Sequence, residues 1–325
     1  MLASTSELLN TALRNGYAIG AFNVYNLEGV KAVIKAAEAL HSPAILQIHP
    51  SALPYGKSHL VALCIKAARK SLMPIAVHLD HSTSEKDIHL GLAAGLKSIM
   101  ADGSFLPYEQ NLIFSREMTK LCHANGAAVE AEIGRISGRE EGLTSEEKAA
   151  RMTDPVAAVE FIKETKVDFL AVTIGNVHGK YLSEPKLDFP RLAKIRAAVS
   201  VPLVMHGASG LPESMIHPCI KLGVSKFNVN TEVREAYMDV LKSSISEPQP
   251  DLLEIMEKAI DAMQSVISDK LQLFGSVGKA YLHHSPYRDD LTAKSTSNKQ
   301  TSGNQSSVGQ ILKPVNSEAF CLLVK

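Results

Sequence analysis

The sequence predicts an α/β fold, a (β/α)8 TIM barrel with an extra C-terminal helix and a disordered tail. Short apolar runs alternate with amphipathic helical stretches from residue 17 to about residue 245, as in proteins with a parallel sheet. Eight such runs can be identified, which is the strand number of this barrel. A doubly wound open sheet is the alternative that the same alternation allows.

The predicted strands are YAIGAF (17–22), AILQI (44–48), PIAVHL (74–79), KSIMA (97–101), AAVEAEI (127–133), DFLAVTI (168–174), PLVMH (202–206) and SKFNV (225–229). Helix candidates between them include NLEGVKAVIKAAEAL, SEKDIHLGLAAG, PYEQNLIFSREMTKLCHANG and DPVAAVEFIKETK, several with Ser or Asp caps and a closing Gly. A further helix, LLEIMEKAIDAMQSVISDKLQLFG, is expected to cover the barrel or serve an oligomer contact. We therefore predict a barrel over residues 1–284 and a polar, disordered tail over residues 285–325.

Composition excludes several classes of function. The chain has 325 residues, 45% hydrophobic and 21% charged, and Lys plus Arg equals Asp plus Glu at 34 each, so no basic excess favours nucleic acid. No apolar run approaches the ~20 residues of a membrane span and no signal peptide is evident, so a cytoplasmic protein is expected. The four cysteines, Cys64, Cys122, Cys219 and Cys321, form no CxxC pair, and the first three are expected to be reduced and buried.

Ionisable residues follow the predicted strands where a barrel carries its active site. They are Asp80 and His81 after strand three, Asp102 after strand four, Glu130 and Glu132 in strand five, His178 after strand six and His206 after strand seven. Three distant histidines at one face predict a His₃ site for a catalytic Zn²⁺ with one open position. The alternative is that each histidine is an unrelated core or loop residue.

Small residues follow strands seven and eight. HGASG (206–210) and NVNT (228–231) offer Gly207, Ala208, Ser209 and Thr231, which suit a phosphate site built from backbone N–H groups and a helix N-terminus. Ordinary turns are the alternative. The charged loop EIGRISGREEG (132–142) fits a lid carrying Glu140 or Glu141, or a solvated surface loop, which its pattern slightly favours.

The motifs GYAIGAFNVYN, HLDHSTS, MADGS, VEAEIGRISGREEG, AVTIGNVHGKY, LVMHGASGLP and KFNVNTEV, in this order, resemble the class II, metal-dependent fructose-bisphosphate and tagatose-bisphosphate aldolases. The resemblance runs from about residue 5 to residue 280. It implies Zn²⁺ ligands at His81, His178 and His206, further metal-site carboxylates at Asp102 and Glu132, and Asp80 as the group exchanging a proton with the C4 oxygen. It implies Glu140 as the residue that moves the C3 proton.

The resemblance also implies where dihydroxyacetone phosphate binds. The matching positions are Asn23, Gly179, Gly207, Ala208, Ser209, Asn228, Val229, Asn230 and Thr231. A monovalent cation such as Na⁺ or K⁺ near the phosphate is a common family feature, as is a homodimer or larger oligomer. The implied activity is reversible cleavage of a ketose (bis)phosphate to dihydroxyacetone phosphate and an aldehyde.

The sequence departs from the family pattern close to the phosphate, at Asn230 and Lys180, and at two positions that bear on the second, distal phosphate. Asn230 replaces a usual Ala, Lys180 a usual aliphatic residue, and Leu253 and Ile260 stand at places where many members carry arginine, the preferred phosphate partner. These departures leave open a second hypothesis, a non-catalytic barrel that binds a phosphorylated ligand or a protein partner. A Schiff-base aldolase is disfavoured because no Lys ends strand six.

Overall fold

The protein folds into a closed barrel of eight parallel strands with helices between them. The computed structural model describes residues 1–134, 152–179, 181, 184–245 and 251–283. Each strand pairs with the next along the chain, and β1 pairs with β8 in the register Ile19↔Lys226 to Phe22↔Val229. This last pairing closes the sheet, which confirms the barrel and excludes the open doubly wound alternative.

The strands lie within two or three residues of their predicted bounds. They are β1 Ile19–Asn23, β2 Ala44–Ile48, β3 Ile75–Ser82, β4 Ser98–Ala101, β5 Ala128–Ile133, β6 Phe169–Val172, β7 Leu203–Met205 and β8 Val224–Val229. The helices of the described residues are α1 Thr5–Asn15, α2 Leu27–Ala39, α3 Leu53–Lys70, α4 Glu85–Ala93, α5 Tyr108–Ala124, α6 Pro155–Thr165, α7 Phe189–Ala198, α8 Glu213–Lys221, α9 Thr231–Ser244 and α10 Leu252–Leu273. Short 3₁₀ turns cover Pro50–Ala52 and Ala280–His283.

The barrel interior changes from apolar to polar along the strands. Its lower part forms a buried cluster with α1, which packs across the N-terminal ends of the strands; the members are Leu8, Leu9, Ala12, Tyr17, Ile19, Ala21, Ile45, Ala76, Phe169, Ala171 and Val204. Further into the barrel interior, β3 carries the buried polar residue His78, two positions after Ala76, and β8 carries the buried Lys226 and Asn228. The apolar floor therefore supports a polar chamber at the C-terminal ends of the strands.

A larger apolar core fills the space between the barrel and its helices. α10 packs its buried residues Ile260, Met263 and Ile267 into this core, which confirms the expected additional helix. Cys64, Cys122 and Cys219 are free and buried, as predicted. None of the described helices combines the length and apolar character needed to cross a bilayer.

Candidate metal and active site

Three histidines meet above the polar chamber. His81 is the second-last residue of β3, His178 lies in the loop after β6, and His206 directly follows β7. Their ring centroids are 4.6 to 5.9 Å apart, and one ligand atom from each lies within 4.8 Å of the others. This spacing can hold a single metal ion.

Unpaired polar atoms show that the residues fit such an ion. His178 Nε2, His206 Nδ1 and Glu132 Oε2 are buried and have no hydrogen-bond partner among the described residues, although buried polar atoms normally have one. His206 Nδ1 and Glu132 Oε2 form an ion pair with each other at 3.1 Å. Imidazole nitrogen and carboxylate oxygen are both ordinary ligands of divalent transition metals.

An irregularity in β3 brings Asp80 and His81 to the same chamber. Simple alternation would send consecutive strand residues to opposite faces. The β3–β4 register shifts between Leu79 and Ser82, and His81 has a φ of 42°, a left-handed conformation that is uncommon outside glycine. The bulge therefore lets both side chains enter the site, with His81 Nε2 only 3.8 Å from Asp80 Oδ1.

Carboxylates orient two of the histidines. His81 Nδ1 hydrogen bonds to Asp102 Oδ2 at 2.7 Å, and Asp102 Oδ1 accepts from the Ser104 N–H at 3.0 Å. His206 Nε2 hydrogen bonds to Glu130 Oε1 at 2.9 Å. The outer partners thus leave Nε2 of His81 and Nδ1 of His206 for a metal, an arrangement common around metal-binding imidazoles.

Asp102 and Glu132, which the resemblance implied as metal-site carboxylates, also lie within metal-binding distance of His81. We call the five residues His81, His178, His206, Asp102 and Glu132 the metal-site cluster. Burial lowers the pKa of His178 to about 3, with the neighbouring histidines acting in the same direction. Burial also opposes protonation of His206, but its hydrogen bond to Glu130 and its proximity to Glu132 outweigh it and raise the pKa to about 10.

Asp80 is held by two amides inside the chamber. Asn23 Nδ2 donates to Oδ2 at 3.2 Å and Asn228 Nδ2 donates to Oδ1 at 3.1 Å. Burial opposes ionisation of Asp80, but nearby His81 and Lys226 outweigh it and lower its pKa to about 2. Asp80 is therefore an oriented carboxylate beside the histidines, able to accept a proton from a group bound there.

A second polar cluster lies beneath the first. His78, Glu130 and Lys226, which we call the ion cluster, are fully buried. Lys226 Nζ lies 2.9 Å from Glu130 Oε2 and donates to Asn228 Oδ1 at 2.7 Å. The ion cluster joins the floor of the site to His206 through Glu130 and to Asp80 through Asn228.

The sequence motifs assign no role to Lys226 and none beyond its position to Glu130. A lysine inside the apolar run SKFNV, in alternation with Asn228, was the available signal. His78 alternates with Asp80 along β3 and points into the same chamber: its Nδ1 hydrogen bonds to Ser98 Oγ at 2.7 Å and its Nε2 lies 3.6 Å from Glu130. Burial lowers the pKa of His78 to about 3.

The predicted phosphate residues lie at the ends of β6, β7 and β8. Gly207 has a φ of 68°, and a Cβ there would lie 1.9 Å from the Val177 carbonyl oxygen, so only glycine fits. Asn176 Nδ2 donates to the His206 carbonyl at 3.1 Å, and the Tyr181 hydroxyl donates to the Gly207 carbonyl at 3.0 Å. These bonds tie the loops after β6 and β7 together.

The other residues of the predicted phosphate site differ in whether their polar groups already form hydrogen bonds within the protein. The Ala208 N–H donates to the Asn228 carbonyl, whereas Ser209 is buried beside it. Asn230 precedes α9, which begins at Thr231, and accepts a hydrogen bond from the Tyr25 hydroxyl at 3.1 Å.

The remaining predicted residues lie on other elements or outside the described part of the chain. Val229 is the last residue of β8, and Gly179 follows His178 with a φ of 91°. Asn23 donates a hydrogen bond to Asp80. Glu140, Glu141 and Lys180 lie outside the described residues.

A family model for class II fructose-bisphosphate aldolase matches residues 3–279. The chain belongs to this family. Membership confirms the enzymatic interpretation: the protein is an aldolase, a carbon–carbon lyase, of a family that acts on phosphorylated sugars and is typically metal-dependent.

Solved structures agree with this assignment. The aldolase is 36% identical to the YdjI aldolase from Escherichia coli K12, with a TM-score of 0.78 over 86% of this chain and 100% of that one. It is 37% identical to a proposed fructose-1,6-biphosphate aldolase from Coccidioides immitis, with a TM-score of 0.80 over 86% and 98%. The fructose-bisphosphate aldolase of Campylobacter jejuni, 20% identical with a TM-score of 0.73 over 86% and 97%, shares the fold.

Proposed function

We propose that this aldolase is Zn²⁺-dependent and reversibly cleaves a ketose (bis)phosphate, such as fructose 1,6-bisphosphate or tagatose 1,6-bisphosphate. The products would be dihydroxyacetone phosphate and an aldehyde, glyceraldehyde 3-phosphate. One observation carries the proposal: three histidines converge within 4.8 Å, with unpaired nitrogens, beside an oriented carboxylate.

We assign the Zn²⁺ ligands to His81, His178 and His206. Three nitrogen ligands leave a coordination position open, which is typical of catalytic zinc sites. When bound, the cation supplies Lewis-acid stabilisation of the negative charge that cleavage leaves on the enediolate. Asp102 fixes the His81 ring through a 2.7 Å hydrogen bond, and Glu132 offers a further carboxylate ligand.

Asp80 is assigned the proton transfer at the C4 oxygen. In cleavage it accepts the C4 hydroxyl proton as C4 becomes the aldehyde carbonyl, and the electrons of the breaking C3–C4 bond pass to the enediolate. Glu140 is assigned the proton delivery to C3 that completes dihydroxyacetone phosphate. In condensation both transfers reverse, so Asp80 returns its proton to the new C4 hydroxyl.

The dihydroxyacetone phosphate half is assigned to the C-terminal ends of β1, β6, β7 and β8. Its residues are Asn23, Gly179, Gly207, Ala208, Ser209, Asn228, Val229, Asn230 and Thr231. The α9 N-terminus and glycine backbone favour an anion, and a monovalent cation, Na⁺ or K⁺, is proposed beside the phosphate. At the other end of the substrate, Leu253 is exposed and Ile260 is buried on α10, so neither position supplies a positive charge.

A substrate panel tests the proposal. Fructose and tagatose bisphosphates and singly phosphorylated ketoses are assayed after chelator treatment, with and without added Zn²⁺. We expect cleavage only after metal is restored. Cleavage that survives chelation, or a lysine labelled by borohydride in the presence of substrate, would contradict the mechanism.

We also propose that the aldolase acts in the cytoplasm as a homodimer or larger oligomer. Light scattering of the purified protein tests the oligomeric state, with a monomeric mass as the contradicting result. Fluorescence microscopy of the tagged protein tests its location.

A further inference from the structure

Lys226 is a fully buried cation inside the barrel, and the proposed reaction gives it no role. It lies on β8 two positions before Asn228, so both side chains point to the same face of the strand. Because β8 runs toward the site, Asn228 lies between Lys226 and the open end of the barrel. A lysine at this depth lies below the substrate and can act on the reaction only through its neighbours.

Hydrogen bonds fix the direction of the Asn228 amide. Lys226 Nζ donates to Asn228 Oδ1 at 2.7 Å, and Asn228 Nδ2 donates to Asp80 Oδ1 at 3.1 Å. An ammonium group can only donate and an ionised carboxylate can only accept. Only one of the two amide orientations therefore satisfies both neighbours, since the reversed amide would turn its N–H groups to the ammonium and its oxygen to the carboxylate.

Lys226 is held in place from its other side. Its Nζ donates to Glu130 Oε1 at 3.2 Å and lies 2.9 Å from Glu130 Oε2. Glu130 is in turn fixed by the hydrogen bond from His206 Nε2. The ammonium group is thus oriented by a carboxylate that is itself oriented, and it keeps its remaining donor directed at Asn228.

The second oxygen of Asp80 has a separate support. Asn23 Nδ2 donates to Oδ2 at 3.2 Å, and the Asn23 Oδ1 accepts from Gln47 Nε2 at 3.1 Å. The two amides together hold both oxygens and so fix the plane of the carboxylate. Because the Asn23 amide does not contact Lys226, loss of Lys226 should weaken the positioning of Asp80 without abolishing it.

We propose that Lys226 is a positioning residue: by donating to Asn228 Oδ1 it directs the N–H end of that amide at Asp80 and so orients the carboxylate that accepts the C4 proton. Lys226 does not touch the substrate and takes no part in the proton transfers. This inference rests on the proposed function, which gives Asp80 its task. Its effect should therefore fall on the turnover of the ketose phosphate and not on its binding.

The first test separates this positioning from the stability that the buried ion pair supplies. The paired variant Lys226→Met/Glu130→Gln removes both charges, keeps side chains of similar length and leaves an amide oxygen to accept from His206. Lys97→Met, at an exposed lysine directly before β4, is the control. Cleavage by each Zn²⁺-loaded protein is measured with the ketose phosphate that the parent cleaves fastest in the substrate panel. Zinc content and the urea midpoint confirm that each protein is loaded and folded.

The second test asks whether Lys226 acts through Asn228. A double-mutant cycle compares the parent, Asn228→Ala, the paired variant and the paired variant that also carries Asn228→Ala. Proton exchange between dihydroxyacetone phosphate and deuterated water, followed by NMR, is measured on the same proteins. This exchange reports the step at C3, which does not use Asp80.

We expect the paired variant to lower kcat about tenfold and to leave KM within about twofold, because a misdirected amide orients Asp80 less well while the substrate contacts remain. Proton exchange should fall by less than about threefold, and Lys97→Met should match the parent. In the Asn228→Ala background, where the amide is already lost, the same pair of substitutions should lower kcat by less than about twofold.

An unchanged kcat, a rise in KM without a fall in kcat, or a fall in proton exchange as large as that in cleavage would overturn the positioning role of Lys226. So would a full tenfold loss repeated in the Asn228→Ala background, because Lys226 would then act by another route. Failure of the Zn²⁺-loaded parent to cleave any ketose phosphate of the panel is a different result. It would overturn the proposed function itself, and this inference with it.

Discussion

The metal-site cluster and the ion cluster both contain histidines and carboxylates, but they differ in whether the chain supplies a cation to them. Both combine histidine with carboxylate inside the barrel. In the ion cluster, Lys226 Nζ lies 2.9 and 3.2 Å from the two oxygens of Glu130, so the chain supplies its own cation. In the metal-site cluster, His206 Nδ1 and Glu132 Oε2 pair only with each other at 3.1 Å, and His178 Nε2 has no hydrogen-bond partner among the described residues.

The difference shows how a binding site can be recognised among buried polar groups. Burial of an ionisable group is costly unless a partner compensates it. In the ion cluster, Lys226 supplies the countercharge of Glu130, although His78 Nε2 and Glu130 Oε2 also have no hydrogen-bond partner among the described residues. The metal-site cluster combines three histidines and two carboxylates without a lysine or arginine, so the missing cation, more than the unpaired atoms, marks the site as one for an external metal ion.

The variant Asp80→Asn tests whether Asp80 is the proton-transfer group. It keeps the shape of the side chain but removes its basicity. We expect kcat for ketose bisphosphate cleavage to fall by about 10²–10⁴, the usual contribution of a general base. Steady-state kinetics on the Zn²⁺-loaded variant measures this, with zinc content as the control. A variant with the parent's activity would remove Asp80 from the mechanism.

Lys226→Met should break the ion cluster. Glu130 would keep only its hydrogen bond to His206, and loss of the lysine from this buried ion pair should cost about 3 kcal/mol in the free energy of unfolding. Urea unfolding of the metal-free protein measures the change. The double variant Lys226→Met/Glu130→Gln removes both charges and should recover most of the loss, and a single variant as stable as the parent would contradict the structural role of Lys226.

His178→Ala should weaken the metal-site cluster without affecting the ion cluster. Loss of one of three ligands should lower Zn²⁺ affinity by at least about 100-fold, whereas the outer variant Asp102→Asn should cost about tenfold. Competition with a chromophoric chelator measures both. Affinity unchanged in His178→Ala would exclude it as a ligand, and the urea midpoint of the metal-free protein should stay close to that of the parent.

The affinity for Zn²⁺ should depend on pH. The pKa of His206 is raised to about 10 in the metal-free protein, so below that pH a proton occupies the ring and must leave before metal binds. Affinity should therefore rise about tenfold per pH unit between pH 6 and 8 for one displaced proton. Calorimetry in buffers of different ionisation enthalpy should detect proton release, and pH-independent binding would contradict the assignment.

Much of the site could be predicted from the sequence because the positions of its residues depend on patterns among neighbouring residues. The apolar runs located the strands to within two or three residues, and the barrel rule then brought distant His81, His178 and His206 to one face. Other features depend on contacts that no local pattern reports. Lys226, for example, pairs with Glu130 from 96 positions away in the sequence.

The sequence by itself determined the number and order of the strands and the residue types at their ends, because hydrophobic periodicity and turn chemistry act over a few neighbouring residues. Only the tertiary structure decided how those side chains are used. The β3 bulge brings Asp80 and His81 into one chamber against strand alternation, and the partners Asp102 and Glu130 select which imidazole nitrogen remains free. These outcomes depend on register and on hydrogen bonds between strands, which form only when the barrel closes.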